Sequence, residues 1–262
     1  MEVKSQRISP LFRLDGKVAV VTGASKGIGE SMARGMAELG AKVVISSRKQ
    51  ESVDQVAEGF KADGLEAVGI ACHVGDEAQR QQLIEKTMEK YGRIDVLINN
   101  AAINPFFGPL AKTENDVFDK IMDVNVKAPF ALSNDVFPIM KKQGSGSVIH
   151  ISSVEGVKPS FGLGLYSVSK AALIMLTKSQ AKEWGKYNIR VNVVCPGLIQ
   201  TKFSSALWEN EEILQQFENH LPMKRMAQPD EMAGLAVYLA SDASSYCTGS
   251  VFTADGGHLI VG

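Results

Sequence analysis

Seven short apolar runs alternate with longer stretches of helical periodicity, and this alternation constrains the fold more than any other feature of the sequence. The runs span residues 18–21, 42–45, 67–71, 94–98, 147–151, 190–194 and 250–253. Helical patterns begin near Ile28, cover 51–62 and 77–91, start again after Thr113 and Lys127, and cover 165–186 and 230–241. Apolar strands spaced by helices imply a parallel sheet covered on both faces. The expected fold is therefore α/β, a single-domain doubly wound parallel sheet, Rossmann-like and of about seven strands. Its crossovers should be right-handed, and its ligand crevice should lie at the carboxyl ends of the strands. With 262 residues, 45% of them hydrophobic, the chain can bury one core without staples.

Charge and cysteine usage exclude several classes of function. A net charge of −1 leaves no nucleic-acid footprint and no membrane-surface patch. Cys72, Cys195 and Cys247 are too scattered for a disulfide framework and lack metal-ligand spacing, so no metal is expected. Residues 1–13 read as an N-terminal extension, basic but without the apolar stretch of a signal peptide. No apolar run is long enough to span a membrane. The final residues, His258 to Gly262, match neither a peroxisomal nor an ER-retention tail. The expected location is cytoplasmic. Residues 201–227 carry no clean pattern; they read either as an ordinary helical insertion or as a substrate lid following a strand end.

Directly after the first run stands Thr22-Gly23-Ala24-Ser25-Lys26-Gly27-Ile28-Gly29. Glycines let a backbone turn tightly and approach a pyrophosphate, and the following helix N-terminus offers unpaired N–H groups to the anion. The second run closes on Ser46-Ser47-Arg48-Lys49. A site for NAD normally places a carboxylate about 20 residues past the glycines, against the ribose 2′-OH. Here Ser47 occupies that place and Arg48 follows, a guanidinium suited to a 2′-phosphate. Lys26 could approach the same phosphate or remain a solvated surface charge. The cofactor expected is NADP(H).

Tyr166 and Lys170 lie four residues apart at the start of a helix and so share a face. A free phenol titrates roughly 3 units too high for acid/base work at neutral pH, a gap of about 4 kcal/mol. One ammonium some 4 Å away supplies about that much at an intermediate dielectric. The pair therefore suits a catalytic acid/base tuned by a lysine, with oxidised nicotinamide adding further positive charge.

Together these motifs resemble the short-chain dehydrogenase/reductase family over roughly residues 14–257. The glycine turn matches at Thr22, Gly23, Gly27 and Gly29, and Ser153 stands at the family's distance before Tyr166. Ser152 competes for that role, and the resemblance favours Ser153. It also implies a catalytic place for Asn125, anchoring a water in a relay to Lys170. Asn99-Asn100-Ala101-Ala102 resembles the family's N-N-A-G, its last glycine replaced by alanine, which should tighten the backbone near the cofactor. Pro196-Gly197-Leu198-Ile199-Gln200-Thr201 resembles the turn beside the nicotinamide, with Ile199 backbone and Thr201 hydroxyl as contacts. Further cofactor positions implied are Ser25, Ile28, Val74, Asn100, Pro196, Gly197 and Lys170 itself. His73 replaces an aspartate common in the family. Residues 46–50, 72–75 and 104–108 resemble the NADP-dependent retinol dehydrogenase/carbonyl reductase branch, whose members often carry a peroxisomal tail.

The leading expectation is an oxidoreductase that reduces a ketone or aldehyde, or oxidises the alcohol. A 3-oxoacyl-thioester reductase and a non-catalytic nucleotide sensor are the alternatives; the intact Ser153, Tyr166 and Lys170 argue against the sensor. Phe106, Phe107, Phe161, Leu198, Phe203 and Trp208 could line an apolar substrate pocket, or belong to core or interface. The resemblance further implies a homo-oligomer, a tetramer, to which Asp255-Gly256-Gly257 would contribute; the apolar helix surface near Ala171 to Leu176 agrees.

Overall fold

The first strand is buried along its whole length, and its alternate residues enter two different cores: Ala19 and Val21 one, Val20 the other. A computed structural model describes residues 8–261. Of the expected N-terminal extension, residues 1–7 lie outside the described residues, and the rest includes the 3-10 turn Ser9–Phe12. In chain order the elements are β1 (Val18–Thr22), α1 (Gly27–Glu38), β2 (Lys42–Ser47), α2 (Gln50–Ala62), β3 (Ala67–Ala71) and α3 (Glu77–Tyr91). Then come β4 (Val96–Asn99), α4 (Asn115–Met122), α5 (Ala128–Gln143), β5 (Gly146–Ile151), α6 (Gly164–Trp184) and β6 (Ile189–Pro196). The chain closes with α7 (Ser205–Trp208), α8 (Glu211–His220), α9 (Ala233–Ala240) and β7 (Val251–Ala254).

The strands form one seven-stranded parallel sheet in the order β3-β2-β1-β4-β5-β6-β7. Alternation explains why these runs read as continuously apolar: Val43 and Ile45, Val96 and Ile98, and Ile149 and Ile151 join the core of α1, α2 and α9. Val44, Leu97 and Val148 face the opposite core, with residues of α3, α5 and α6. The chain runs outward from β1 to β3 and then resumes on the other side of β1, at β4. The switch point opens a crevice at the carboxyl ends of β1 and β4.

Element ends differ from expectation where side chains replace backbone partners. The fourth strand starts at Val96, not Ile94, because the Ile94 N–H and C=O bond to the side-chain amide of Gln143 at 3.1 and 2.9 Å. The last helical stretch opens as the 3-10 turn Pro229–Met232, with a Gln228–Glu231 capping box, before α9 begins. Between α4 and α5 the helix widens into a π turn, Asp123–Lys127, a distortion frequent at functional sites. Residues 201–227 fold as the turn Lys202–Ser204 followed by α7 and α8. The ends of this excursion are tied together: Gln200 N–H donates to Ala227 O at 2.9 Å, and Ala227 N–H to Leu198 O at 3.1 Å. Among the described residues no helix is long and apolar enough to cross a membrane.

Candidate active site

The glycine turn sits at the mouth of the switch-point crevice, and two of its glycines are required by geometry. Gly23 takes φ +64°, a left-handed backbone that suits glycine. A Cβ on Gly29 would lie 2.5 Å from Asn100 Nδ2 and 2.6 Å from Gly23 O. Asn100 cannot step aside, because its Nδ2 donates to Thr22 O at 3.0 Å and Gly23 O at 3.1 Å. Thr22 Oγ1 accepts the N–H groups of Asn100 and Ala101, which locks the loop after β4 to the turn. Ala102 is not among the residues with positive φ, so its place needs no glycine backbone. Helix α1 starts from an extended Lys26, φ −177°, whose side chain makes no capping bond. Its first amides are thus left without a side-chain acceptor, and the donor set suits an anion. The position of a Cβ on Gly27 lies 3.2 Å from the Thr201 side chain, so the crevice runs on from the turn to Thr201. Gly197 N–H donates to Ala254 O at 2.9 Å, Pro196 and Ile199 are buried, and Leu198 is half-buried beside them.

At the end of β2, Ser25 Oγ donates to Ser47 Oγ at 3.1 Å and draws the glycine turn to this strand. Arg48 and Lys26 are exposed, and neither has an ion-pair or hydrogen-bond partner among the described residues. Cys72 N–H donates to Ser47 O at 2.8 Å, bringing the loop of His73 and Val74 alongside. The Val74 carbonyl accepts from Arg80, and His73 Nδ1 accepts the Gly75 N–H, a local structural role. These groups fit a dinucleotide with a charged 2′ substituent: an uncapped helix end, a cradle that a Cβ would fill, and two free cations.

On the other side of the crevice stand Ser153, Tyr166 and Lys170. The two serines separate clearly: Ser152 is buried and its Oγ donates to Lys170 O at 2.8 Å, whereas the half-buried Ser153 faces Tyr166. Lys170 is 2% exposed, and burial pushes its ammonium down to about 8. Its Nζ lies 5.5 Å from the centre of the Tyr166 ring and donates to Ile151 O at 2.8 Å. This differs from the expected tuning of the phenol by the lysine. Burial pushes the Tyr166 phenol up, the Ser153 hydroxyl opposes the rise and Glu155 adds to it, while the Lys170 ammonium is directed to the Ile151 carbonyl. Asn125, in the π turn, is 1% exposed; its side chain bonds both the N–H and C=O of Ile103 at 2.9 Å and Ser169 Oγ at 3.1 Å. It ties the loop after β4 to α6. Sequence reading passed over Ser169, one helical turn beyond Tyr166, and Glu155, whose signal was an acid among serines in one turn.

The aromatic candidates divide into two walls. Phe203 comes within 6.1 Å of the Tyr166 ring, centre to centre. Trp208 anchors the same excursion through Nε1–H to Thr201 O at 2.9 Å. Phe106 packs beside Gly108, and Phe107 covers Gly162, whose carbonyl accepts the Gly108 N–H at 3.0 Å. Phe161 is on the same loop, 82% exposed.

A doubly wound sheet with an anion-binding glycine turn opposite a Ser–Tyr–Lys group defines a nicotinamide-dinucleotide type of oxidoreductase. Comparison with known proteins agrees. The family model described as enoyl-(acyl carrier protein) reductase matches residues 23–258. Dehydrogenase/reductase SDR family member 4 of Oryctolagus cuniculus is 45% identical over 93% of this chain and 94% of its own length. Tropinone reductase-like 3 of Erythroxylum coca is 43% identical over 94% of each chain. A gluconate 5-dehydrogenase from Burkholderia cenocepacia, solved with NADP and tartrate, superposes with a TM-score of 0.92 at 34% identity, covering 96% of this chain and 98% of that one. The chain belongs to the short-chain dehydrogenase/reductase family and is an enzyme, an oxidoreductase.

Proposed function

We propose that the enzyme is a cytoplasmic NADP(H)-dependent carbonyl reductase for apolar ketones and aldehydes, working as a homotetramer. The observation that carries this reading is the placement of Ser153, Tyr166 and Lys170 across one crevice from the unpaired Arg48 and Lys26. Gly23, Ser25, Gly27, Ile28 and Gly29 would hold the pyrophosphate. Ser47 and Arg48, with Lys26, would hold the 2′-phosphate, and Val74 and Asn100 the adenosine end. Pro196, Gly197, Ile199 and Thr201 would hold the nicotinamide. NADPH, when bound, supplies the hydride. Tyr166 gives its phenolic proton to the carbonyl oxygen, which Ser153 orients by a hydrogen bond. Burial keeps the phenol protonated as the proton source, and Lys170, whose Nζ lies 5.5 Å from the ring centre, is positioned by Ile151 O. Asn125 holds the loop and helix between which a proton relay to Lys170 would run.

The mouth supports an apolar substrate rather than the polyhydroxy acid named for the gluconate relative. Phe203, beside Tyr166, is 58% exposed, Phe107 and Phe161 of the neighbouring loops are 67% and 82% exposed, and residues 201–227, which carry Phe203, act as the lid. Assembly is supported by Phe118, Phe130, Val168 and Met175, exposed on the neighbouring helices α4, α5 and α6. The cytoplasmic reading is supported by the three unpaired thiols. The test is Tyr166→Phe with NADPH and para-nitrobenzaldehyde. Turnover should fall at least about 10²-fold, the low end of general acid catalysis, with NADPH affinity and fold retained. Near-normal turnover would overturn the mechanism.

A further inference from the structure

Between Ser153 and Tyr166 the chain makes a turn and a loop, and the Glu155 carboxylate gathers both. Its Oε2 accepts the Ser160 N–H at 2.8 Å and the Ser167 hydroxyl at 3.0 Å, and its Oε1 accepts the Ser160 hydroxyl at 2.6 Å. Its own N–H donates to Ser153 Oγ at 3.1 Å. Ser167 follows Tyr166 directly and also donates to Leu163 O at 2.9 Å. One side chain therefore joins the Ser153 turn, the loop up to residue 163 and the first turn of α6.

The surroundings leave this joint little slack. A Cβ on Gly156 would lie 2.7 Å from the Lys170 carbonyl carbon, so the turn rests directly on the helix backbone. The far side of the loop is Gly162, covered by the Phe107 ring. Three hydrogen bonds occupy the carboxylate, so its chemistry is that of a clamp and not of a ligand. We propose that Glu155 is a positioning residue that fixes Ser153 relative to Tyr166 and, through the loop, sets the Phe107–Phe161 wall of the substrate mouth. This rests on the reading that Ser153 and Tyr166 act on the substrate.

The charge of Glu155 has a second consequence. Of the titratable groups nearby, Glu155 from the turn acts on the phenol; Lys170 from α6 lies 5.5 Å from its ring centre, and Cys195 of β6 and His150 of β5 face that lysine. Burial does most to hold the phenol up, and the Glu155 carboxylate adds a smaller rise. Glu155→Gln keeps an oxygen acceptor and removes the charge. In NADPH-dependent reduction the acid must be protonated, so the alkaline limb of kcat/KM should move to lower pH.

The experiment uses the full-length enzyme with NADPH and para-nitrobenzaldehyde, and compares Glu155→Ala, Glu155→Gln, Ser167→Ala and Tyr166→Phe. Glu155→Ala should lower kcat/KM by about tenfold to a hundredfold through misplacement of the acid and the wall, with raised KM and unchanged NADPH affinity. Glu155→Gln should recover most of the rate and show the shifted alkaline limb. Ser167→Ala should show a smaller loss of the same kind. A lower Tm with kcat/KM and pH profile unchanged in folded enzyme would mark a purely structural residue and overturn the proposal. Should Glu155→Ala fail to fold, Glu155→Gln decides by its pH profile and Ser167→Ala by its kcat/KM. An active Tyr166→Phe enzyme would refute the functional reading instead; an inactive one beside an unaltered Glu155→Ala would refute this inference alone.

Discussion

Arg48 and Lys26 stand free beside Ser47, and on the proposed NADP(H) reading single substitutions there should change the cofactor preference. A 2′-phosphate carries nearly two negative charges, and a hydrogen bond to a charged group contributes about 1.5–3 kcal/mol. Arg48→Ala should therefore reduce the preference for NADPH over NADH by roughly 10- to 150-fold. Ser47→Asp should do more, since a carboxylate repels the phosphate and accepts the free 2′-OH of NADH. The ratio of kcat/KM for the two cofactors, at fixed ionic strength, decides it; an unchanged ratio in Arg48→Ala would give the phosphate to Lys26. The residues of this proposed subsite could be read from sequence because the missing acid and the adjacent guanidinium are neighbours in the chain. The state of Tyr166 could not. It depends on how deeply α6 is buried and on the Ile151 carbonyl that takes the Lys170 ammonium, a pairing of residues 19 apart that no spacing rule announces. The residues alone likewise left Ser152 beside Ser153, which only the resemblance favoured; the fold commits Ser152 to Lys170 O.

Helix α1 approaches the loop after β4 more closely than any side chain at Gly29 permits. The atoms that a Cβ would meet are a backbone oxygen and an amide held by two carbonyls, so no rotamer change relieves the overlap. Gly29→Ala should lower the free energy of unfolding by about 1–3 kcal/mol, the range for overpacking, and weaken NADPH binding as the helix end shifts. Urea unfolding and fluorescence titration measure the two effects; wild-type values for both would show that the helix has room to move. At this scale the sequence was informative about strands, since a run apolar on both faces has few other uses than the middle of a parallel sheet. It was less informative about element ends. Gln143 captures both backbone groups of Ile94 from 49 residues away, and that contact exists only once α5 has packed. Residues 201–227 had no period to read because their fold is a closed excursion, fixed by the pairing of Leu198 and Gln200 with Ala227.

Across the whole molecule, a buried polar chain links the adjacent strands β4 and β5 to the helices on one face. Asn99 Nδ2 in β4 donates to Ser133 Oγ in α5 at 3.0 Å and to His150 Nδ1 in β5 at 3.3 Å. With Nδ1 accepting, the imidazole proton sits on Nε2 and is donated to Gln180 Oε1 in α6 at 2.9 Å. A lone histidine in the apolar run 147–151 carries no pattern, so this chain of contacts was invisible before folding. A second proton on Nδ1 would face the Asn99 amide, and burial, together with the Lys170 charge, pushes His150 down to about 4. An exposed histidine in the unfolded chain titrates near its ordinary value of about 6.5. Between these two values the unfolded state binds the proton and the folded state does not, so stability rises with pH across the window and is lost as pH falls through it. The loss by pH 4 should approach about 3 kcal/mol, a gap of roughly 2.5 units at 1.36 kcal/mol each. His150→Asn removes the titrating group. It should be less stable than wild type at neutral pH, where its shorter side chain forgoes the Gln180 bond. The difference should then narrow by about 3 kcal/mol on acidification, because only the wild type still has a histidine to charge. Urea unfolding of both proteins at matched pH values across the window measures that narrowing. Parallel stability curves would mean that the folded protein admits the proton, by rotating Gln180 or hydrating the cleft between β5 and α6, and that acid sensitivity lies with the carboxylates instead.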